Sequence, residues 1–168
     1  ARALQAYDDA TKLQATADLL CERSYILSNM KRHAEAFADA KRGHQLDRGN
    51  RYCHDRLVRA VGHIDDWKDI IALMSSIIDA DPAMGGAFRE RGWANYALKN
   101  QEAAFQDYLV AAKLGDSAGQ LQLGRFYLNG VGVKSDREQA AIWVRKAAAQ
   151  GEAQASQMLV EMRLAKRK

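Results

Sequence analysis

The sequence has few of the residues that interrupt helices, with one proline and 12 glycines among 168 residues. This scarcity excludes collagen-like and proline-rich low-complexity chains. Strands are not expected either, because alternating apolar and polar runs are absent and alanine is abundant. No apolar run approaches the roughly 20 residues of a membrane-spanning helix. The sequence therefore predicts an all-α chain without a membrane span.

Cysteines and catalytic motifs are equally sparse. Cys21 and Cys53 are the two cysteines, and we expect two thiols on helices because they form no disulfide framework and no zinc-ligand spacing. The four histidines form no His-Glu-x-x-His motif, and no Gly-x-Ser-x-Gly turn is present. We therefore expect a protein that is not an enzyme, with no catalytic residue, no metal ligand and no cofactor.

The sequence also lacks a block of charge of one sign. It carries 25 Lys+Arg and 21 Asp+Glu, a net charge of +4, and the two signs alternate along most of the chain. Such alternation is typical of solvated helix faces. Only the end is locally basic, at Arg163, Lys166, Arg167 and Lys168, where we expect a solvated terminus. The charge pattern is therefore a weak indication of an anionic partner.

An internal period of 34 residues is the main positive signal. Three segments align without gaps, and small or apolar residues fill most columns at steps of four and three, the spacing of a helical stripe. Each segment therefore predicts two amphipathic helices. We expect these helices at 18–29 and 33–46, at 52–62 and 66–79, and at 86–98 and 101–114.

Polar residues at fixed places agree with these helices. Asp65-Asp66 and Asn100 stand where second helices begin, and their side chains favour the N-cap position. His54 and Asn95 occupy columns that are otherwise apolar. We expect both to be partly buried and hydrogen-bonded to a backbone carbonyl.

Small residues recur late in the first helices, at Ser24 and Gly92, and in the second helices, at Ala36 and Ala104. With the 34-residue period and Asp81-Pro82, they resemble the tetratricopeptide repeat family. The resemblance implies an all-α, right-handed α-solenoid of antiparallel helix pairs whose first helices line a concave side. It implies tetratricopeptide-like repeats at 17–50, 51–84 and 85–118.

At the start of the chain, Ala3, Tyr7 and Ala10 have the second-helix spacing of Ala104, Tyr108 and Ala111. This spacing predicts the second helix of a truncated upstream repeat at 1–16, and the alternative is a solitary capping helix.

The last third changes its period to 36 residues without losing the helical pattern. The run from Leu123 to Val133, followed by Asp136, Ala140 and Trp143, resembles the Sel1-like repeat, a relative with a longer turn between its helices. This resemblance implies a Sel1-like repeat at 117–151.

The longer turn has its own predicted features. Gly130 and Gly132 supply the positive φ angles that such a turn needs. Ser135 and Glu138 have the spacing of a capping box that begins the second helix. A phosphate-binding loop is not expected, because no strand precedes the glycines and no Lys-Ser/Thr follows them. After this repeat we expect a C-terminal capping helix and basic tail at 152–168.

The resemblance implies that the first helices carry a partner-binding groove, on the face opposite the packing stripe. Tyr, Trp and Arg on such a face favour binding. The alternative is that Trp93 and Tyr25 pack between neighbouring first helices. The family's clamp for chaperone C-terminal carboxylates is not expected, since Cys21, Tyr25 and Glu90 stand near its Lys and Asn places. The candidate residues are Tyr25, Asn29, Tyr52, Asp55, Arg59, His63, Arg89, Trp93, Tyr96 and Arg125, with Asp18 and Cys21 also facing outward.

The leading hypothesis is a non-catalytic scaffold or adaptor that binds a peptide or helix of a partner protein in this groove. The alternative is a helical-repeat module that binds nucleic acid, suggested by the basic net charge. Nucleic acid is the less favoured partner because Asp18 and Asp55 share the expected face with Arg59 and Arg89, which leaves no basic stripe. We expect a soluble bacterial protein of the cytoplasm or periplasm, and the sequence leaves its partner and oligomeric state open.

Overall fold

The computed structural model describes residues 2–64 and 66–164, and these residues are helical apart from short turns. They fall into two compact units, unit 1 (Ala1–Pro82) and unit 2 (Ala83–Lys168). The all-α fold is confirmed, and the six helices expected from the 34-residue period begin and end within two residues of their predicted bounds. The helices are α1 (Arg2–Leu13), α2 (Ala17–Asn29), α3 (His33–Leu46), α4 (Arg51–Ala60), α5 (Trp67–Ala80), α6 (Gly85–Ala97), α7 (Gln101–Lys113), α8 (Ser117–Asn129), α9 (Arg137–Ala149) and α10 (Ala153–Leu164), with a 3-10 turn at Val61–His63.

In unit 1, α2 packs against both α3 and α4. The contact between α2 and α3 is close because Ser24 is small, and its hydroxyl donates a hydrogen bond to the carbonyl of Ala36 at 2.7 Å. Helix α5 is joined to α3 by an ion pair between Lys41 and Asp69 at 2.6 Å. The unit thus buries its apolar stripes within a layer of neighbouring helices.

In unit 2, glycines permit the corresponding contacts. A Cβ added at Gly92 of α6 would lie 3.4 Å from the carbonyl oxygen of Ala104 on α7. A Cβ added at Gly124 of α8 would lie 3.2 Å from the carbonyl oxygen of Ala140 and would overlap the side chain of Val144 on α9. These small residues therefore lie where neighbouring helices approach closely.

The turn between α8 and α9 contains both predicted glycines in the left-handed region, Gly130 at φ 70° and Gly132 at φ 64°. A side chain at Gly132 would also overlap the carbonyl oxygen of Gln101 on α7. The predicted capping box is wrong by one residue. Asp136 caps α9, accepting hydrogen bonds from the backbone N–H groups of Glu138 and Gln139, because the hydroxyl of Ser135 donates to the carbonyl of Leu128 instead.

The other predicted caps differ in outcome. Asp66 caps α5 as expected, accepting a hydrogen bond from the N–H of Asp69 at 3.1 Å. Asn100 occupies the N-cap position of α7 but makes no capping hydrogen bond. Its amide instead donates to the side-chain oxygen of Asn95 at 3.4 Å. Asp65 lies outside the described residues.

The two polar residues in apolar columns are both buried and hydrogen-bonded. His54 lies with Nε2 2.8 Å from the carbonyl oxygen of Arg48, as expected. Asn95 does not bond a carbonyl, because its amide donates to a carboxylate oxygen of Asp107 at 3.0 Å. Asp107 is itself buried and paired with Arg91 at 2.7 Å, and a charged acceptor makes a stronger hydrogen bond than a carbonyl.

The cysteines are not two thiols, and Cys21 does not face outward. Cys21 of α2 and Cys53 of α4 form a disulfide, with Cα atoms 5.3 Å apart, and both are fully buried. The expectation was wrong because the spacing of the two cysteines along the chain does not show which helices become neighbours. The fold places α2 and α4, the first helices of successive repeats, side by side. Gly43 of α3 leaves room for the bridge, since a Cβ there would lie 2.5 Å from Cys21 Sγ and 3.0 Å from Cys53 Sγ.

Within the described ranges, every helix is too short or too polar to cross a membrane.

Candidate binding surface

The predicted groove residues are divided between unit 1 and unit 2. The unit 1 face consists of Tyr25 and Asn29 on α2 together with Tyr52, Asp55 and Arg59 on α4. The unit 2 face consists of Arg89, Trp93 and Tyr96 on α6, Arg125 on α8, and the side chains of α8 and α10 that adjoin Arg125. The side chain of His63 lies outside the described residues.

Arg56, which was not predicted from the sequence, contacts both aromatic rings of the unit 1 face. The guanidinium of Arg56 lies between two aromatic rings, 4.5 Å from the ring centre of Tyr25 and 4.6 Å from that of Tyr52. Burial raises the pKa of the Tyr52 hydroxyl. The spacing of four residues between Tyr52 and Arg56 is a signal that could have identified this stack.

The charges on the unit 1 face are paired within the protein. Arg59 bonds to Asp55 at 2.9 Å, one turn earlier on α4. Asp18 accepts a hydrogen bond from the amide of Asn50 at 2.7 Å. Asn29 is exposed at the end of α2. This face therefore presents mostly groups that already have partners.

On the unit 2 face, Trp93 and Tyr96 keep 46% and 39% of their surface exposed, and their ring centres are 6.4 Å apart. Tyr25 is 45% exposed on the unit 1 face. Neither the Trp93 ring nor the Tyr25 ring is fully buried, but Tyr25 does pack on a neighbouring first helix, since its ring centre lies 4.5 Å from the guanidinium of Arg56 on α4. Tyr96 also contacts Phe126 of α8, with ring centres 5.5 Å apart.

These aromatic residues border a cleft of about 250 Å³ between α6 and α8. We call it the aromatic cleft. Its floor is apolar, with Tyr108 and Phe126 buried beneath the exposed rings. The residues that line it are Trp93, Tyr96, Tyr108, Gln122, Arg125, Phe126, Asn129 and Val131.

Arg125 and Asn129 also line a second cleft, of about 670 Å³, between α8 and α10. We call it the amide cleft. Arg125 donates to the side-chain oxygen of Gln154 at 3.0 Å across it and to that of Gln122 at 3.5 Å. The residues that line it are Arg125, Leu128, Asn129, Arg137, Gln154, Gln157, Met158, Glu161 and Met162.

The polar residues around Arg125 were not predicted from the sequence. Asn129, which lines both clefts, and Gln122, which lines the aromatic cleft, lie one turn after and one turn before Arg125, so helical geometry alone places them on one face. The repeat spacing does not identify Gln157, because the 36-residue period of the last third places Glu161, not Gln157, in the column of Arg125.

Arg89, in contrast, is not available to a partner. It is half-buried and forms ion pairs with Glu90 and with Asp116, the latter at 3.2 Å. Burial raises the pKa of the Glu90 carboxyl, and the nearby Arg89 opposes this effect. The charge of Arg89 is therefore already paired with carboxylates of unit 2.

Among residues 2–64 and 66–164, no three His, Cys, Asp or Glu side chains are grouped so that they could hold a metal ion.

Comparison with known proteins identifies one repeat by sequence. Residues 117–152 match the Sel1 repeat family model, which confirms the resemblance expected for the last third of the chain. No curated protein matches the chain.

Solved structures share the fold over most of the chain. A structure of MamA 41-end from Desulfovibrio magneticus RS-1 has a TM-score of 0.69 and 17% identity, and the match covers 91% of this chain and 86% of that one. The structure of c5321, a protective antigen of uropathogenic Escherichia coli with an SLR fold, has a TM-score of 0.73 and 23% identity over 95% of this chain and 36% of that one. At such identities the similarity shows the fold alone, a helical-repeat fold of the tetratricopeptide and Sel1-like kind.

Proposed function

We propose that this chain, a helical-repeat protein with a Sel1 repeat at residues 117–152, is a non-catalytic scaffold or adaptor that binds a segment of a partner protein on its unit 2 face. Helical-repeat folds commonly serve protein interaction, and function inferred from a fold is an analogy. The observation that carries the proposal is local. Trp93 and Tyr96, each exposed by more than a third, border a cleft that has an apolar floor and Arg125 at its edge.

This combination is favourable for binding because aromatic rings and guanidinium groups supply most of the energy at protein interfaces. An exposed Trp side chain leaves apolar surface in water, and a partner that covers it recovers the free energy of that surface. The unit 1 face is a weaker candidate. Its rings of Tyr25 and Tyr52 already enclose Arg56, and Arg59 is paired with Asp55.

The test is a pair of variants measured for stability and for binding. Trp93→Ala removes the most exposed aromatic side chain of the unit 2 face. The partner is captured on the wild-type protein, identified, and titrated against each variant. We expect Trp93→Ala to leave the melting temperature nearly unchanged and to weaken the partner by roughly 2 kcal/mol, about thirtyfold in dissociation constant.

Ile142→Ala is the matched control, because Ile142 is a large apolar residue of α9 that is 40% exposed and lies outside both clefts. It should change neither the melting temperature nor the affinity substantially. A Trp93→Ala protein that is as stable as the wild type and binds the identified partner equally well would contradict the proposal. Binding to mixed RNA and DNA that falls steeply as salt rises would favour the nucleic-acid alternative.

We also propose that the protein folds in an oxidising compartment, which in a bacterium is the periplasm. The Cys21–Cys53 disulfide supports this, since disulfides persist in such compartments and are rare in the cytosol. The measurement is alkylation of protein quenched with acid directly from its source cells. Protein that takes up no alkylating reagent until it is reduced agrees with the proposal, and protein with two free thiols contradicts it.

A further inference from the structure

We infer that the unit 2 face binds an extended peptide segment in which an acidic side chain lies next to a large apolar one. The inference rests on the proposed function and specifies the chemistry of the partner. It is based on the neutral hydrogen-bond partners of Arg125, on the position of the aromatic cleft, and on the amides of the amide cleft.

The acidic side chain follows from the partners of Arg125. Among the described residues, Arg125 bonds only to the neutral amides of Gln122 and Gln154. The arginines of the neighbouring helix α6, in contrast, are paired with carboxylates: Arg89 with Glu90 and Asp116, and Arg91 with Asp107. A guanidinium presents a planar fork of donors that matches a carboxylate, and such a pair is stronger than a bond to a neutral amide. Arg125 therefore borders both clefts with a charge that a ligand carboxylate can neutralise. Of these two clefts, a second arginine, Arg137, lines only the amide cleft, and it donates to the backbone carbonyl of Met162.

The apolar side chain follows from the aromatic cleft, which Arg125 also lines. The rings of Trp93, Tyr96 and Phe126 and the side chain of Val131 surround a volume of about 250 Å³. A volume of this order suits one large side chain rather than a whole small-molecule ligand, whose pockets usually measure about 300–1,000 Å³. Because one residue borders both features, the acidic and the apolar group must be close together in the ligand.

The extended conformation follows from the amide cleft. Asn129, Gln154 and Gln157 bring side-chain amides to a cleft that continues from Arg125. Each amide can both donate and accept hydrogen bonds, which suits the unpaired N–H and C=O groups of an extended backbone. Gln154 and Gln157 already use one group each, with Arg125 and Glu161, and within the described part of the chain their remaining donors and acceptors are free for a ligand. A helical ligand bonds its backbone groups internally and would leave these remaining donors and acceptors unused. Glu161 lines the same cleft away from the aromatic rings, and it disfavours a second acidic group there.

The experiment is selection from a random library of linear peptides displayed on phage, with the full chain as the immobilised target. Enriched peptides are synthesised with a fluorescent label, and their dissociation constants are measured by anisotropy for the wild type, Arg125→Gln and Arg145→Gln. Arg145→Gln is the matched control, because Arg145 is an exposed arginine of α9 and lines neither the aromatic cleft nor the amide cleft.

We expect enriched peptides to contain Asp or Glu within two residues of Phe, Trp, Leu, Ile or Met. Their affinity should fall at least fivefold in Arg125→Gln and should not change in Arg145→Gln. It should also weaken as salt rises, because the pair with Arg125 is partly screened. Replacing the acidic residue of the peptide by its amide should cause the same loss, and should cause no further loss in Arg125→Gln.

Two results would overturn the inference. One is enrichment of peptides without an acidic residue, and the other is an affinity that is equal in the wild type and Arg125→Gln. If such peptides still lose affinity in Trp93→Ala, the proposed function stands and the acidic ligand is wrong. If the library yields no binder, the extended-peptide inference fails, while the proposed function is judged separately by the identified partner and Trp93→Ala.

Discussion

At the scale of single residues, two buried histidines of unit 1 show how the fold accommodates polar side chains. The rings of His44 and His54 lie edge to face with centres 5.1 Å apart. Nε2 of His54 must donate, since its neighbour is the carbonyl oxygen of Arg48. His44 is hydrogen-bonded to the hydroxyl of Ser76 at 3.0 Å. Burial lowers the pKa of His44, and His54 and Arg48 lower it further.

This lowered pKa predicts that unit 1 is sensitive to acid. The folded state favours neutral His44, so its contribution is complete above about pH 6.5, the pKa of a histidine in an unfolded chain. It is lost as the pH falls from there through the lower pKa of the folded state. Chemical denaturation of the wild type and of His44→Gln at pH 8 and pH 5 measures this. The free energy of unfolding should fall more between the two pH values in the wild type than in His44→Gln, and an equal fall would contradict the prediction.

At the scale of helix pairs, the same ion pair appears in two repeats and is replaced in the third. Arg23 of α2 bonds Asp39 of α3 through two hydrogen bonds of 2.6 and 2.7 Å. In unit 2, Arg91 and Asp107 make the corresponding pair between α6 and α7. In the second repeat, 34 residues after Arg23 and Asp39, the same two positions hold Leu57 and Leu73, and both leucines are buried. The repeats therefore keep either both charges or neither, because one charge alone would be buried without a partner.

This pattern predicts the outcome of exchanging the pair. Asp39→Leu alone should destabilise the protein by about 3 kcal/mol, because it leaves the guanidinium of Arg23 partly buried with fewer carboxylate partners. The double variant Arg23→Leu/Asp39→Leu should recover most of that loss, since it recreates the apolar pair of the second repeat. Urea denaturation of the wild type, both single variants and the double variant gives the coupling free energy. Additive losses in the double variant would contradict the prediction.

Particular residues show how far the fold could be predicted from the sequence. Helix bounds were predictable because the 34-residue period repeats the packing stripe, and the glycines of the longer turn were predictable because φ is positive there. The Asp136 cap differed from the prediction because Ser and Asp are both good caps and adjacent in sequence. The sequence predicted three residues of the unit 2 face that are accessible in the structure, namely Trp93, Tyr96 and Arg125. The contacts of Arg56 with Tyr25 and of Gln154 with Arg125 were not predictable, because each joins two helices whose relative position no spacing along the chain shows.

At the scale of the whole molecule, the two units differ in what stabilises them. Unit 2 has clusters of aromatic and aliphatic side chains, including Phe105, Tyr108 and Phe126 beneath the aromatic cleft. Unit 1 contains the Cys21–Cys53 disulfide, which joins positions 32 residues apart. A bridge of this length restricts the unfolded chain and stabilises the fold by about 3–4 kcal/mol in the loop-entropy account.

Removing the disulfide should therefore lower the stability of unit 1 and leave the stability of unit 2 unchanged. In Cys21→Ala/Cys53→Ala, we expect the free energy of unfolding of unit 1 to fall by about 3–4 kcal/mol. The matched control is a fragment of residues 83–168, which contains no cysteine and should melt at the same temperature with and without a reductant. Circular dichroism melts of the wild type and the double variant, with and without reductant, provide the measurement.

Both cysteines are fully buried, so reductant should act on the wild type only near temperatures at which unit 1 opens, and it should not affect the double variant. A double variant as stable as the oxidised wild type would mean that packing around Gly43, rather than the covalent link, holds α2 and α4 together.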